Sequence, residues 1–160
     1  MSDIYLILHN IRSTHNVGSI FRTADAAGVS KIYITGYTPT PLDRFNRPRK
    51  DISKVALGAE KTVAWEHNPL LEDVVTLLKK EGFSIIALEQ SDNSVDYKTY
   101  TLKFPVALIV GNEVSGISED TLNLCEAVIE IPMRGEKESL NVSVATGIAL
   151  FQLNSKLSQK

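Results

Sequence analysis

Residues 104–118 read FPVALIVGNEVSGIS: five aliphatic residues, Val106–Val110, run straight into Gly111-Asn112-Glu113-Val114-Ser115-Gly116. An unbroken aliphatic run leaves no face for water, so it predicts a strand covered on both sides, as in a parallel sheet between helices. The hexapeptide lies beyond the carboxyl end of that strand and ahead of a helix predicted over Ser118–Leu124, which is where such sheets bind ligands. Its two glycines have the spacing of a phosphate-binding P-loop, but Ile117 stands where lysine must follow, so nucleoside triphosphate hydrolysis is unsupported. No GxGxxG follows a strand either, so a standard dinucleotide site is not indicated. A tight strand-to-helix turn is the other reading of these glycines.

Buried-strand runs recur at Ile4–Leu8, Lys31–Thr35, Ser84–Glu89 and Val128–Ile131. Helices are predicted over Val17–Ala27 and Pro69–Glu81, with Gly28 and Gly82 placed where a left-handed cap is needed. Asn68 reads as the cap of the second, Pro69 as its first residue, and Leu70, Leu71, Val74, Leu77 and Leu78 as its buried face. A long helix over Asn141–Leu157 closes the chain, with Val144, Ile148, Phe151 and Leu153 among its apolar positions. Alternating strands and helices define an α/β fold, a mostly parallel sheet flanked by helices. At 160 residues the chain is expected to form one domain over 1–160.

With 43% hydrophobic and 22% charged residues the composition is that of an ordinary globular protein. A net charge of −2 gives no global attraction for polyanions, so any such site must be local. One segment qualifies: DRFNRPRKDISK, residues 43–54, sets Arg44, Arg47, Arg49, Lys50 and Lys54 against Asp43 and Asp51. It lies in a proline-rich stretch, Gly36–Ile52, predicted as a long exposed loop, with Phe45 available to stack on a base. A solvated, mobile loop is the other reading. The single cysteine, Cys125, excludes an internal disulfide and fits a cytoplasmic location. No apolar stretch approaches the roughly 18–20 residues that span a bilayer, so no membrane role is expected. His9, His15 and His67 show neither metal-ligand spacing nor a Ser–His–Asp order, so no metal is expected.

Asn16 reads as the cap of the first helix, with Arg22 projecting from it semi-buried amid Ile20, Phe21 and Ala24. Such an arginine needs a carboxylate or a phosphate as partner. Ser139 or Asn141 can cap the last helix. Asn141-Val142-Ser143 matches a glycosylation sequon, which a cytoplasmic chain would not present to the glycosylation machinery.

Three segments taken in order, NIRSTHNVGSIFRTADAAGV (10–29), FPVALIVGNEVSGIS (104–118) and IPMRGEKESLNVSVATGIALF (131–151), resemble the signature motifs of SpoU-type, TrmH-like RNA methyltransferases. The resemblance implies methyl transfer from S-adenosylmethionine to a ribose 2′-hydroxyl of tRNA or rRNA, a C-terminal deep trefoil knot and a homodimer. A knot breaks the usual rule against threaded loops, so no periodicity could have revealed it. Matched position by position, the resemblance implies Asn16, Arg22, Glu113, Ser139 and Asn141 as catalytic residues. It places the cofactor against Leu88, Gly111, Asn112, Glu113, Ile131, Met133 and Leu140. RNA would be held by Arg22 together with Arg44, Arg47, Arg49 and Lys50 of the basic segment.

A guanidinium keeps its proton below pH 12, so Arg22 is expected to grip a phosphate or lower the 2′-hydroxyl pKa, with the proton leaving to water or another group. Glu113 is expected to orient Arg22 or to hold the loop, and Asn16, Ser139 and Asn141 to fix the arginine and the cofactor loop. The chain begins near the first motif and ends just past the third, so no separate RNA-binding extension is expected, and tRNA is favoured over a large ribosomal assembly. Two rival readings stand beside this one. The first is a non-catalytic RNA-binding module that keeps the fold, and the second a nucleotide-binding enzyme of another α/β family, supported by the glycine loop alone.

Overall fold

The structure, a computed structural model, describes residues 2–157. In chain order it comprises β1 (Ile4–His9), α1 (Thr14–Ala26), β2 (Lys31–Thr35), α2 (Lys50–Ala56), α3 (Ala59–Thr62), β3 (Trp65–His67) and α4 (Leu71–Lys80). These are followed by β4 (Ser84–Leu88), β5 (Val95–Asp96), β6 (Val106–Val110), α5 (Glu119–Leu122), β7 (Ala127–Glu130) and α6 (Val142–Leu157). The strands form one seven-stranded sheet in the order β3-β2-β1-β6-β4-β7-β5, every pairing parallel.

Alternation along each strand divides the core into two layers. Leu6 and Leu8 of β1, Ile32 and Ile34 of β2 and Leu108 of β6 face Val17, Ile20 and Phe21 of α1, Ile52 of α2 and Leu150 of α6. Ile7, Tyr33, Ile85 and Ile109 point the other way, onto Leu71, Val74, Val75 and Leu78 of α4. Fully burying one such side chain contributes about 1.5–3 kcal/mol, so both faces of β1 and β6 must stay aliphatic.

The first half of the chain builds outward from β1 through β2 to β3. The second half lays β6 and β4 on the other side of β1. The order reverses there, and the carboxyl-terminal loops of β1, β6, β4 and β7 gather at one sheet edge, where an open α/β sheet places its ligand.

Gly28 and Gly82 have φ of 71° and 88°, the left-handed caps expected of them. Other boundaries move for local reasons. Asn16 is not the cap of α1: Ser13, with extended φ −81° and ψ 119°, accepts from Asn16 N at 3.1 Å, which starts the helix at Thr14. Asn68 does not cap α4 directly, since its Oδ1 accepts from Leu70 N at 2.9 Å and the helix begins at Leu71. Strand β4 ends at Leu88, freeing Glu89, and β7 spans Ala127–Glu130, leaving Ile131 in the following loop.

The stretch from Gly36 to Ile52 is not one unstructured loop. It ends at Arg49, the cap position ahead of α2, and an antiparallel bridge pairs Leu42 with Pro48. Asp43 N donates to Arg47 O at 2.8 Å and Arg49 N to Pro41 O at 2.9 Å, closing the basic segment into a hairpin-like tip. Elements α2, α3, β3 and β5 are too short to show a period in sequence and take their form from packing.

Candidate functional site

The loops after β4, β6 and β7 and the start of α6 enclose a pocket lined by Leu88, Glu89, Gly111, Asn112, Glu113, Ile131, Met133, Ser139 and Leu140, among others. Its β6 loop is folded tightly. A Cβ on Gly111 would lie 2.5 Å from Ile117 Cγ1 and 2.9 Å from Gly116 O, so only glycine lets the two ends of GNEVSG approach. Gly116, at φ 66°, sits against Glu89, where a Cβ would fall 2.3 Å from Oε2. Glu89 accepts from Ile117 N at 3.0 Å through Oε2 and from Gln90 N at 2.8 Å through Oε1. Sequence reasoning placed Glu89 at a strand end without function, and its residue type alone carries no signal of this role.

A line of hydrogen bonds joins the three motif segments. Glu113 Oε1 accepts from Ser13 N at 3.0 Å and from Asn16 Nδ2 at 3.1 Å, while Arg12 N lies 3.1 and 3.0 Å from the two carboxylate oxygens. Asn16 Oδ1 accepts from Asn141 Nδ2 at 3.2 Å. Asn141 Oδ1 in turn accepts from Ser143 N at 2.8 Å and Val144 N at 3.3 Å, capping α6. Asn141 therefore both caps its helix and reaches the first motif. Burial pushes the Glu113 carboxyl up, but bonds from Arg12 N, Ser13 N and Asn16 outweigh it and hold the group below its ordinary value. The carboxylate also faces the amino-terminal end of α1, where negative charge is favoured. No hydrogen bond or ion pair links Glu113 to Arg22 among the described residues.

Asn112 acts through both ends of its side chain. Nδ2 donates to Asn10 O at 3.0 Å and to Tyr37 Oη at 2.9 Å, and Oδ1 accepts from Val114 N and Ser115 N at 2.9 and 2.8 Å. Ser139 lies on the pocket wall, in the loop before α6.

Arg22 is exposed, not semi-buried. Two residues past buried Ile20 it is turned about 200° around the helix, away from the core stripe. It lines a separate groove with Asp25, Ala56, Leu57, Gly58 and Thr62, which shares no residue with the pocket. The basic residues also stand apart from the pocket lining. Arg47 Nε pairs with Asp43 Oδ2 and Arg49 Nη2 with Asp51 Oδ2, each at 3.1 Å. Phe45 is 62% exposed, with the guanidinium carbons of Arg44 and Arg47 at 4.8 and 4.9 Å from its ring centroid. Lys50 opens α2.

Chemically, the pocket suits an adenosine-like group. Leu88, Ile131, Met133 and Leu140 offer apolar walls to a flat ring, backbone at the strand ends offers edge hydrogen bonds, and Glu89 supplies a carboxylate acceptor. Among the described residues no cluster of three or more His, Cys, Asp or Glu is placed to hold a metal, and no helix is long and apolar enough to cross a membrane.

A parallel α/β sheet with a glycine-bounded loop and a pocket at the carboxyl ends of β6, β4 and β7 defines the class. Within that class, the sequence profile of the SpoU rRNA Methylase family matches residues 3–151, and the chain belongs to this family. It is 33% identical over 150 residues to the tRNA (guanosine(18)-2′-O)-methyltransferase of Escherichia coli, covering 94% of this chain and 62% of that protein. The enzyme of the same name from Thermus thermophilus is 34% identical over 153 residues, 94% of this chain and 73% of its own length. Among solved structures, the AdoMet-bound rRNA methyltransferase of Sinorhizobium meliloti superposes with a TM-score of 0.87 at 31% identity, over 98% of this chain and 58% of that one. The chain thus spans less than two thirds of the length of the Escherichia coli and Sinorhizobium meliloti relatives.

Proposed function

We propose that the chain transfers a methyl group from S-adenosylmethionine to a ribose 2′-hydroxyl of RNA, with tRNA the first substrate class to test and rRNA the second. The observation that carries this reading is the line Glu113–Asn16–Asn141, which ties all three motif segments together beside a pocket suited to adenosine. The names of the relatives and the AdoMet held by the Sinorhizobium meliloti neighbour support it. On this reading residues 1–160 act as one catalytic domain with the family's C-terminal knot. The reaction belongs in the cytoplasm, where Cys125, its thiol pushed up to about 11 by burial, stays inert.

When bound, S-adenosylmethionine supplies an electrophilic methyl on a sulfonium. Backbone at Leu88, Gly111, Ile131, Met133 and Leu140 would hold it, and Asn112 and Glu113 would keep the adjoining loop in place. The 2′-oxygen must approach in line at about 3–3.5 Å, so positioning supplies much of the acceleration. Ser139, on the pocket wall, is available to orient either reactant. Arg22 stays cationic and binds the phosphate beside the reacting ribose, while the hydroxyl proton leaves to water or another group.

Because Arg22 lies in a separate groove, a second copy of the chain is the means to bring it to the pocket. Val144, Ile148 and Phe151 support that reading: they form an exposed apolar stripe at i, i+4 and i+7 of α6. The basic hairpin of Arg44, Arg47, Arg49 and Lys50 tracks the RNA backbone.

The test incubates the protein with methyl-labelled S-adenosylmethionine and tRNA or rRNA lacking ribose methylation, then digests with alkali. Label in alkali-resistant dinucleotides supports ribose methylation. Label on a base overturns the reaction assigned, and failure to bind S-adenosylmethionine favours a non-catalytic module.

A further inference from the structure

The connection from β2 to α2 carries an aromatic residue that neither the pocket nor the basic hairpin accounts for. Tyr37 is 60% exposed, yet it is fastened on several sides. Its backbone N–H donates to Asn10 Oδ1 at 3.2 Å, and its hydroxyl oxygen accepts from Asn112 Nδ2 at 2.9 Å. Gly36, just before it, adopts φ 61°, and a Cβ there would fall 1.8 Å from Asn10 Oδ1, so the turn closes only with glycine. Asn10 is itself left-handed at φ 57° and gives its carbonyl to the same Asn112 Nδ2 at 3.0 Å.

A surface tyrosine can satisfy its hydroxyl with water and leave its ring free to turn. Here the hydroxyl is anchored to the asparagine that shapes the pocket loop through Val114 N and Ser115 N. The result is a solvent-facing aromatic plane of low conformational freedom, set at a fixed offset from the pocket rim. Such planes are stacking platforms for nucleobases, because every base has a π-face. Further along the same connection Phe45, attended by Arg44 and Arg47, offers a second plane with cationic neighbours.

We propose that Tyr37 is the platform on which the base of the methylated nucleotide stacks, a substrate-positioning residue whose tether to Asn112 sets the distance from base to cofactor loop. The inference rests on the RNA ribose-methylation reading and deepens it. Stacking tolerates any base, so Tyr37 fixes where the ribose lies rather than which base it carries.

The test uses an RNA whose methylated nucleotide has been mapped with the wild-type enzyme, and the same RNA made abasic at that nucleotide, which retains the 2′-hydroxyl. Loss of one stacked base lowers kcat/KM about tenfold, so Tyr37→Ala on intact RNA and wild type on abasic RNA should each fall by that factor. Tyr37→Ala should lose nothing more on abasic RNA. Tyr37→Phe keeps the ring but loses the tether to Asn112, so it should fall less than Tyr37→Ala yet measurably below wild type, about threefold, with cofactor affinity little changed in both variants.

Multiplying losses, in which Tyr37→Ala falls a further tenfold or so on abasic RNA, would overturn the proposal, because the ring and the base would then act independently. Weakened cofactor binding with unchanged KM for RNA would also overturn it, making Tyr37 a prop for the Asn112 loop. A wild-type enzyme that binds cofactor but methylates no ribose would remove the parent reading and this inference together, a result distinct from an active enzyme indifferent to Tyr37.

Discussion

Asn16 Nδ2 donates to Glu113 Oε1 at 3.1 Å, joining two residues 97 positions apart. The contact welds the loop after the central strand β6 to the first turn of α1, and Asn141 extends it to the cap of α6. One buried carboxamide thereby sets the first turn of α1 against the β6 loop and the start of α6, the latter two lining the pocket.

Alanine at Asn16 or Asn141 should lower the single-turnover rate at least tenfold, since misplacement by about an ångström can cost a hundredfold. Rapid-quench assays on the fraction shown to be folded check this. Loss of thermal stability with a normal rate per folded molecule would leave Asn141 as a helix cap and Asn16 as a structural link to Glu113 only.

Glu113→Gln should flatten the acid limb of stability. The folded Glu113 has its pKa depressed, so its contribution is fully present above the unfolded value near 4.5 and is lost as pH falls through the lower folded value. Glutamine cannot accept at both positions facing Arg12 N and Ser13 N, so the variant should melt about 3–6 °C lower at neutral pH. It should also show less further loss below pH 4.5. Thermal melts between pH 3 and 7 compare the two proteins.

Arg22→Lys keeps a positive charge but loses the forked donor geometry. We expect the rate to fall at least tenfold while the apparent pKa of the pH–rate profile stays where it is, as gripping a phosphate requires. A pKa that moves with the substitution would instead assign proton transfer to this position.

Replacing Arg44, Arg47 and Arg49 with glutamine should weaken RNA binding and reduce the slope of its logarithmic salt dependence, with cofactor affinity unchanged. The ion pairs to Asp43 and Asp51 temper the size of the effect. Filter binding across a salt series measures it, and equal affinity in the triple variant would remove the hairpin from the RNA site.

If the exposed stripe of α6 is the seam between two copies, Ile148→Asp with Phe151→Asp should give a folded monomer by sedimentation, because neither side chain belongs to the core. If Arg22 acts across the interface, that monomer should bind S-adenosylmethionine and fail to methylate. An active monomer would show that Arg22 reaches the pocket of its own chain.

The class of fold was legible in the amino-acid sequence because its signals are local. Val106–Val110 reads as a covered strand and is one, and the glycines at 28 and 82 take the left-handed conformations expected after amphipathic runs. The pocket's β6 loop was legible too, since Gly111 and Gly116 bracket a turn that side chains would obstruct. Short elements such as β3 and β5 carry no period and exist only because a sheet edge accepts them.

Which distant groups meet depends on packing. Asn16, Glu113 and Asn141 read in the sequence as polar residues at helix starts and strand ends. The sequence could not show that two carboxamides and a carboxylate form one line, because pairing across 97 and 125 positions depends on sheet order. The same holds for Glu89 beneath Gly116 and for Tyr37 tied to Asn112. Packing also decided against a semi-buried Arg22, since a two-residue step from Ile20 turns the side chain outward to solvent. Local chemistry sets conformation within a few residues; only the packed, parallel sheet, with its carboxyl ends on one edge, sets the company those residues keep.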